Sequence, residues 1–299
     1  MDVREPAAGP CQGAATDVTA LPGHRGGTEV FSFADPTLFR LGDTVPLDGR
    51  ISWAPRIEGH FQPINCYLVK EGSVGYLIDT GVAAHRQRII DQLRRVDSDI
   101  KEISIFFTRA ELDCSGNFAS LYKTFNVTEV ISGAIRNPFD SYDELSKLSN
   151  TEIRRQNLPL SGVEDMQIGS SSRLRLIPAH IRMLTTYWAY DSVSKTLFSS
   201  DVFGHTSCKG EQDSIILDEE AADHTTINSV GAHLLEKFGW MALADNRYMR
   251  NWVEKLFADY DIEHIAPTHG CIISGKRSVM KHLSYLMDAL DQIGLKEQH

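Results

Sequence analysis

Residues 100–117 read IKEISIFFTRAELDCSGN, and this stretch decides the fold. It opens with apolar side chains dense enough for a buried strand, Ile100–Thr108, and closes where a helix is predicted to begin, Ser115–Phe125. Arg109, Glu111, Asp113 and Cys114 lie between the two. Two carboxylates at alternating positions in a tight strand-to-helix loop can point into one cavity.

Working outward, the same arrangement of a strand followed by a metal-competent side chain recurs. His180 lies just beyond the strand Arg173–Pro178. Asp201 directly follows the strand Lys195–Ser200, and His269 ends the strand His264–Pro267 with Gly270 behind it. Upstream, the runs Pro63–Lys70 and Ser73–Asp79 flank Glu71-Gly72, a linker suited to a hairpin. Asp79 at the end of that hairpin is expected to fix the fold by bonding nearby backbone. An amphipathic helix over Ala84–Val96, a strand at Val127–Ser132 and a polar helical region over Ser141–Gln156 complete the first half. The second half adds a strand at Thr185–Asp191, helices over Glu219–Lys237 and Asn246–Tyr260, and a closing helix, Arg277–Leu295. Tyr187, Trp188 and Tyr190 read as core aromatics. Strand clusters and helices alternating twice predict an α+β fold, two mixed sheets face to face with helices outside.

The formal net charge of -10 argues against a nucleic-acid surface and against an anionic membrane. No apolar stretch approaches the roughly 18 residues of a spanning helix. Residues 1–27 are rich in Ala, Gly and Pro without an apolar signal core, which predicts a disordered leader before one domain, 28–299. Five dispersed cysteines without CxxC pairing suit reduced thiols and a cytoplasmic location.

The order of these stations resembles the metallo-β-lactamase superfamily, whose first motif is HxHxDH. A Glu in the third position, as at Glu111, is similar instead to the flavodiiron proteins. LFSSDVFGH (197–205), YWAYD (187–191) and IAPTHG (265–270) also look like that family, and the likeness runs over about 28–295. It implies a four-layer αββα sandwich. It also implies a metal site of Glu111, Asp113, His180, Asp201 and His269, with Asp201 bridging two irons. Arg109 then stands where the first His belongs and Cys114 where the second belongs. Arg cannot ligate, having no lone pair to offer; the alternatives for it are a surface charge or an inward ion pair with Glu111 and Asp113. Cys114 is either a small buried thiol or a soft ligand that would favour zinc or a single iron over an iron pair. His60 and His205 flank the motifs as candidates for orienting ligands, set against ordinary packing.

The resemblance therefore implies a non-haem iron oxidoreductase, or a protein binding dioxygen or nitric oxide, with one or two irons. No flavodoxin-like segment or flavin is expected in this chain, so a separate electron donor, a flavoprotein or rubredoxin-like protein, would be needed. Two alternatives stand beside it: a metal-dependent hydrolase, and a metal-free sensor or partner-binding domain in which Arg109 pairs with the orphan carboxylates.

Overall fold

In the computed structural model, which describes residues 30–96, 99–133, 153–159, 162–168, 171–181, 185–210, 215–219 and 223–294, alternation along the buried strands sorts side chains into three packed layers. The first sheet runs β1 (Phe31–Phe33), β2 (Asp35–Pro46), β3 (Phe61–Glu71), β4 (Val74–Ile78), β5 (Glu102–Phe107), β6 (Val127–Ser132) and β7 (Arg154–Asn157), adjacent in that order. Its first four strands are antiparallel to their neighbours, and β4 through β7 are parallel. The second sheet holds β8 (Glu164–Ile168), β9 (Ser171–Pro178), β10 (Tyr187–Asp191), β11 (Thr196–Phe198), β12 (Ile216–Leu217), β13 (His264–Ala266) and β14 (Ile272–Ser274), in the order β12-β14-β13-β11-β10-β9-β8.

Tyr67, Ile78, Phe106 and Ile131 of the first sheet meet Leu176, Tyr187, Phe198 and Ala266 of the second between the sheets. The alternate residues Leu68, Leu77, Ile105 and Phe107 pack outward under helices α1 (Arg86–Val96) and α3 (Phe118–Thr124), through Ile89, Leu93, Phe118 and Leu121, with the short α2 (Leu112–Ser115) preceding α3. On the far side, Trp188, Leu197, Ile265 and Ile273 pack under α4 (Ile227–Lys237), α5 (Arg247–Asp259) and α6 (Lys276–Ile293). Period-two alternation on strands buried on both faces, against helical stripes, is what makes four layers. The αββα sandwich of two mixed sheets is thus the fold of this chain.

The elements differ from the sequence expectations at several points. The hairpin turn is Gly72-Ser73, one residue later than predicted, because Glu71 still pairs with Val74 and Gly72 takes the left-handed φ of 58°. The helix expected over Ser115–Phe125 is two short ones broken at Gly116-Asn117. The first of them starts at Leu112 and so carries Asp113. Of the polar helix expected over Ser141–Gln156, residues up to 152 lie outside the described residues; Arg154–Gln156 belong to β7, which pairs parallel with β6 and places Arg154 on Glu129 at 2.7 Å. α4 begins at Ile227, where Thr226 and Ser229 form a capping box, not near Glu219. The expected leader, 1–27, also lies outside the described residues. No helix among the described residues is long and apolar enough to cross a membrane.

Candidate functional site

Parallel pairing in each sheet brings strand ends to one edge. β4 and β5 end side by side at Asp79 and Thr108, and β11 and β13 end at Ser200-Asp201 and Thr268-His269. Asp79 ties the two sheets together there. Its carboxylate accepts from Thr108 N at 2.8 Å, Thr108 Oγ1 at 2.9 Å and, across the sandwich, Thr268 Oγ1 at 3.1 Å. Burial pushes its pKa up to about 6 against the opposing pull of Arg109. Asp79, Ser200 and Phe203 all take left-handed φ, at 59°, 53° and 68°, so the turns that aim these side chains are strained. At Gly270 (φ 98°) a Cβ would press on Thr206 Oγ1 and Gly204, which explains the glycine behind His269.

Arg109 occupies the centre of this edge and is wholly buried. Its Nε reaches Glu111 Oε2 at 2.5 Å, its Nη1 donates to Ser200 Oγ at 2.7 Å, and its Nη2 bonds Asp113 and lies 2.8 Å from Asp201 Oδ1. A second cation, Lys237 at the end of α4, lies 2.9 Å from the same Asp201 oxygen and 4.0 Å from Asp113 Oδ2. His269 sits between the two aspartates, Nε2 at 3.0 Å from Asp113 Oδ2 and Nδ1 at 3.5 Å from Asp201 Oδ1. Trp53 stacks on the His269 ring at 4.7 Å, with the Lys237 ammonium 5.3 Å over its own ring.

Electrostatics fix the protonation of this cluster. Burial alone would raise Asp113 and Asp201, but Arg109, with Lys237 and His269, outweighs it and holds both below the usual carboxylate range. Burial pushes the His269 imidazole down, so it is neutral, and pushes the Cys114 thiol well up, so it is protonated. Cys114 therefore behaves as a small buried thiol, with Thr108 Oγ1 3.6 Å from its sulfur, and Arg109 is the inward ion pair.

Four of the five expected metal donors, Glu111, Asp113, Asp201 and His269, gather around Arg109. The fifth does not: His180 is exposed, shares a 3.1 Å hydrogen bond with Tyr248 Oη and packs edge-on to Tyr248 and Trp252. The structure does not bring it to the other four, and the reason is local. α5 offers it aromatic partners, whereas the Glu111 and Asp201 oxygens already bind Arg109 and Lys237. His60 bonds Ser207 Oγ at 3.0 Å and His205 bonds His282 at 2.8 Å; neither orients a donor of the cluster. Lys237, Trp53, Ser200 and His233, whose Nε2 lies 3.2 Å from the Asp201 carbonyl, were not anticipated. The one available signal was the spacing of four that puts His233 and Lys237 on the same face of α4.

An iron pair does not fit these residues. Arg109 and Lys237 already contact the oxygens that would bridge and terminate it, and unit charges about 4 Å apart repel by about 4 kcal/mol at a moderate dielectric. Asp113, Asp201 and His269 do form a triad whose donor atoms lie within 4.8 Å of one another, and Asp113 Oδ1 is buried without a hydrogen-bond partner among the described residues.

Solved structures of similar fold include the rubredoxin oxygen:oxidoreductase of Desulfovibrio gigas, 14% identical with a TM-score of 0.66, covering 88% of this chain and 62% of that one. A point mutant of the flavo di-iron protein from Thermotoga maritima is 20% identical at a TM-score of 0.62, again covering 88% and 62%. This chain thus spans about three fifths of the length of those two proteins. The chemotaxis sensor ODP, solved as a peroxy diiron species, is 20% identical at a TM-score of 0.54, covering 87% of this chain and 94% of that one. No curated protein matches the chain by sequence. The family model described as ODP family beta lactamase matches residues 63–270, more than half of the chain and every strand end from Asp79 to His269, and the chain therefore belongs to that family.

Proposed function

We propose that this chain is a metal-independent member of its family that serves as a sensing or partner-binding module, not as an iron oxidoreductase. The observation that carries this reading is the Arg109 guanidinium bonded at once to Glu111, Asp113, Asp201 and Ser200, with Lys237 as a second cation on Asp201. Two fixed positive charges here do what metal charge does elsewhere: they neutralise converging carboxylates. The centre of the cluster is covered, with Arg109 and His269 buried and Trp53 laid over the His269 ring. A reaction needs an open coordination position or a route for substrate, and this arrangement favours neither.

On this view no electron donor is required and neither dioxygen nor nitric oxide is a substrate.

Restoring the missing donors tests it. Arg109→His with Cys114→His, in a Lys237→Ala background, should bind ferrous iron or zinc in anaerobic titration, while the parental chain takes up neither. Equal uptake by both would sink the proposal. A second reading, one metal ion on Asp113, Asp201 and His269, is favoured by the 4.8 Å clustering of their donor atoms and by the unpartnered Asp113 oxygen. It predicts one zinc or iron per parental chain, lost on His269→Ala.

A further inference from the structure

A cavity of about 480 Å³ lies between the end of β2, the loop 47–60 and the start of α1. Val45, Ile51, Trp53, Ile64 and Val82 give it apolar walls, and its volume falls in the range of small-molecule sites. The loop is closed at its neck, where Leu47 N donates to the His60 carbonyl at 2.8 Å and Ile57 N to the Leu47 carbonyl at 3.0 Å. Trp53 is held in turn by its Nε1, which donates to Gln62 Oε1 at 3.0 Å. The walls are therefore formed before anything binds.

Asp43, Arg50 and Arg88 stand on the same walls, and each already holds an ion pair. Arg88 Nη1 lies 2.8 Å from Asp43 Oδ1, and Arg50 holds both Asp48 oxygens through Nε and Nη2, at 2.6 to 3.0 Å. A ligand carboxylate would have to displace Asp43 or Asp48 from its guanidinium, and a ligand ammonium would have to displace an arginine. Either exchange leaves a charge to be solvated beside apolar walls. A neutral ring disturbs neither pair, and the two guanidinium groups favour an aromatic ring over a saturated one. The Trp53 that lines this cavity also stacks on the His269 ring at 4.7 Å and has the Lys237 ammonium 5.3 Å over its own ring. One indole is thus shared by the cavity and the Arg109 cluster.

We propose that this cavity binds a small neutral aromatic molecule and that Trp53 passes its occupancy to His269. The proposal rests on the reading of this chain as a sensing module and supplies that module's input. Binding there needs no opening of the cluster, so Arg109 and His269 stay buried.

Four matched probes test it on the full chain labelled with ¹⁵N: benzyl alcohol, cyclohexylmethanol, benzoate and benzylammonium. Millimolar benzyl alcohol should shift the Trp53 Nε1–H resonance, the amides of Ile51 and Val82, and the His269 ring nitrogens. Cyclohexylmethanol should bind about two- to fivefold more weakly, the scale of one cation–π contact at a partly exposed site. Benzoate and benzylammonium should each bind at least about tenfold more weakly, the scale of one displaced charged partner. Ala84 is an exposed residue of the cavity wall, so Ala84→Trp should fold and fill the space, and benzyl alcohol should then shift none of these resonances. In Trp53→Leu the Ile51 and Val82 shifts should remain and the His269 shift should vanish. Equal or tighter binding of the saturated or charged probes, shifts that survive Ala84→Trp, a His269 that does not respond, or no binding at millimolar concentration would each overturn the proposal. Should Trp53→Leu fail to fold, the probe series and Ala84→Trp still decide it. The metal content of the same sample decides the metal-free reading separately: binding in a chain that carries metal would sink only that reading, and no binding in a metal-free chain only the site.

Discussion

The two halves of the expected metal site have met different fates. On one side Asp113, Asp201 and His269 stay within 4.8 Å of one another, Asp201 and His269 buried and Asp113 half-buried. On the other, Glu111 is more than a third exposed and pairs with Arg109, and His180 has turned out to Tyr248 and Trp252. The difference follows from what holds each side chain. Asp201 and His269 directly follow strands in the second sheet, and Asp113 rides on α2. Ser200, Thr268 and Thr108 are bonded into the Arg109 and Asp79 network, so the backbone cannot let these donors go. His180 is tied to no such network. The scaffold holds the side chains that it bonds into the network and leaves free the one that it does not.

The largest effect should come from removing the central cation. Arg109→Met leaves Asp113 and Asp201 buried and facing each other, and breaking a buried ion-pair cluster costs about 3–5 kcal/mol. Urea denaturation at neutral pH measures it; a loss below about 1 kcal/mol would mean that the two halves are held alike. Next in size is a pH effect at His233, beneath Asp201. Burial first, and Lys237 as well, lower its pKa to about 4 against the bond to the Asp201 carbonyl. A base depressed on folding contributes stability above its unfolded value near 6.5, and that contribution is lost as pH falls toward 4. The unaltered chain should lose about 3 kcal/mol more than His233→Gln across that interval, followed by thermal or urea unfolding. Asp79, raised on folding, acts with the opposite sign between about pH 4 and 6 in both proteins and cancels from the difference.

Lys237→Met should cost less, about 1–2 kcal/mol, because Arg109 still pairs with Asp201 and the methionine keeps its contact with Trp53. Smallest of all is His180→Ala. An exposed side chain outside the network should change stability by no more than about 0.5 kcal/mol, and a cost comparable to that of Lys237→Met would show that His180 supports the site after all.

How much of this was legible in the sequence depended on burial. Strands covered on both faces, such as Glu102–Phe107 and Tyr187–Asp191, announce themselves as apolar runs, and they set the layers. β1 and β2 mix polar and apolar residues, and the edge strands β7 and β8 are largely polar (RRQN, EDMQI); none stands out from loop. At the site, Asp201 and His269 were readable because a side chain directly after a strand has little freedom. The departures at Arg109 and Cys114 were visible too, but not their consequence, since an inward guanidinium needs a second cation and a cover. Those are Lys237, an ordinary helix-ending lysine by sequence, and Trp53, from a loop with no pattern. Tertiary packing alone brings them together.

Elemental analysis of the unaltered protein tests the central claim most directly. The chain should be expressed with iron and zinc supplied and gel-filtered without chelators. Metal content well below one ion per chain is the result predicted when Arg109 and Lys237 neutralise the carboxylates. One ion per chain would move the account to the Asp113–Asp201–His269 triad, and two irons per chain would contradict it outright.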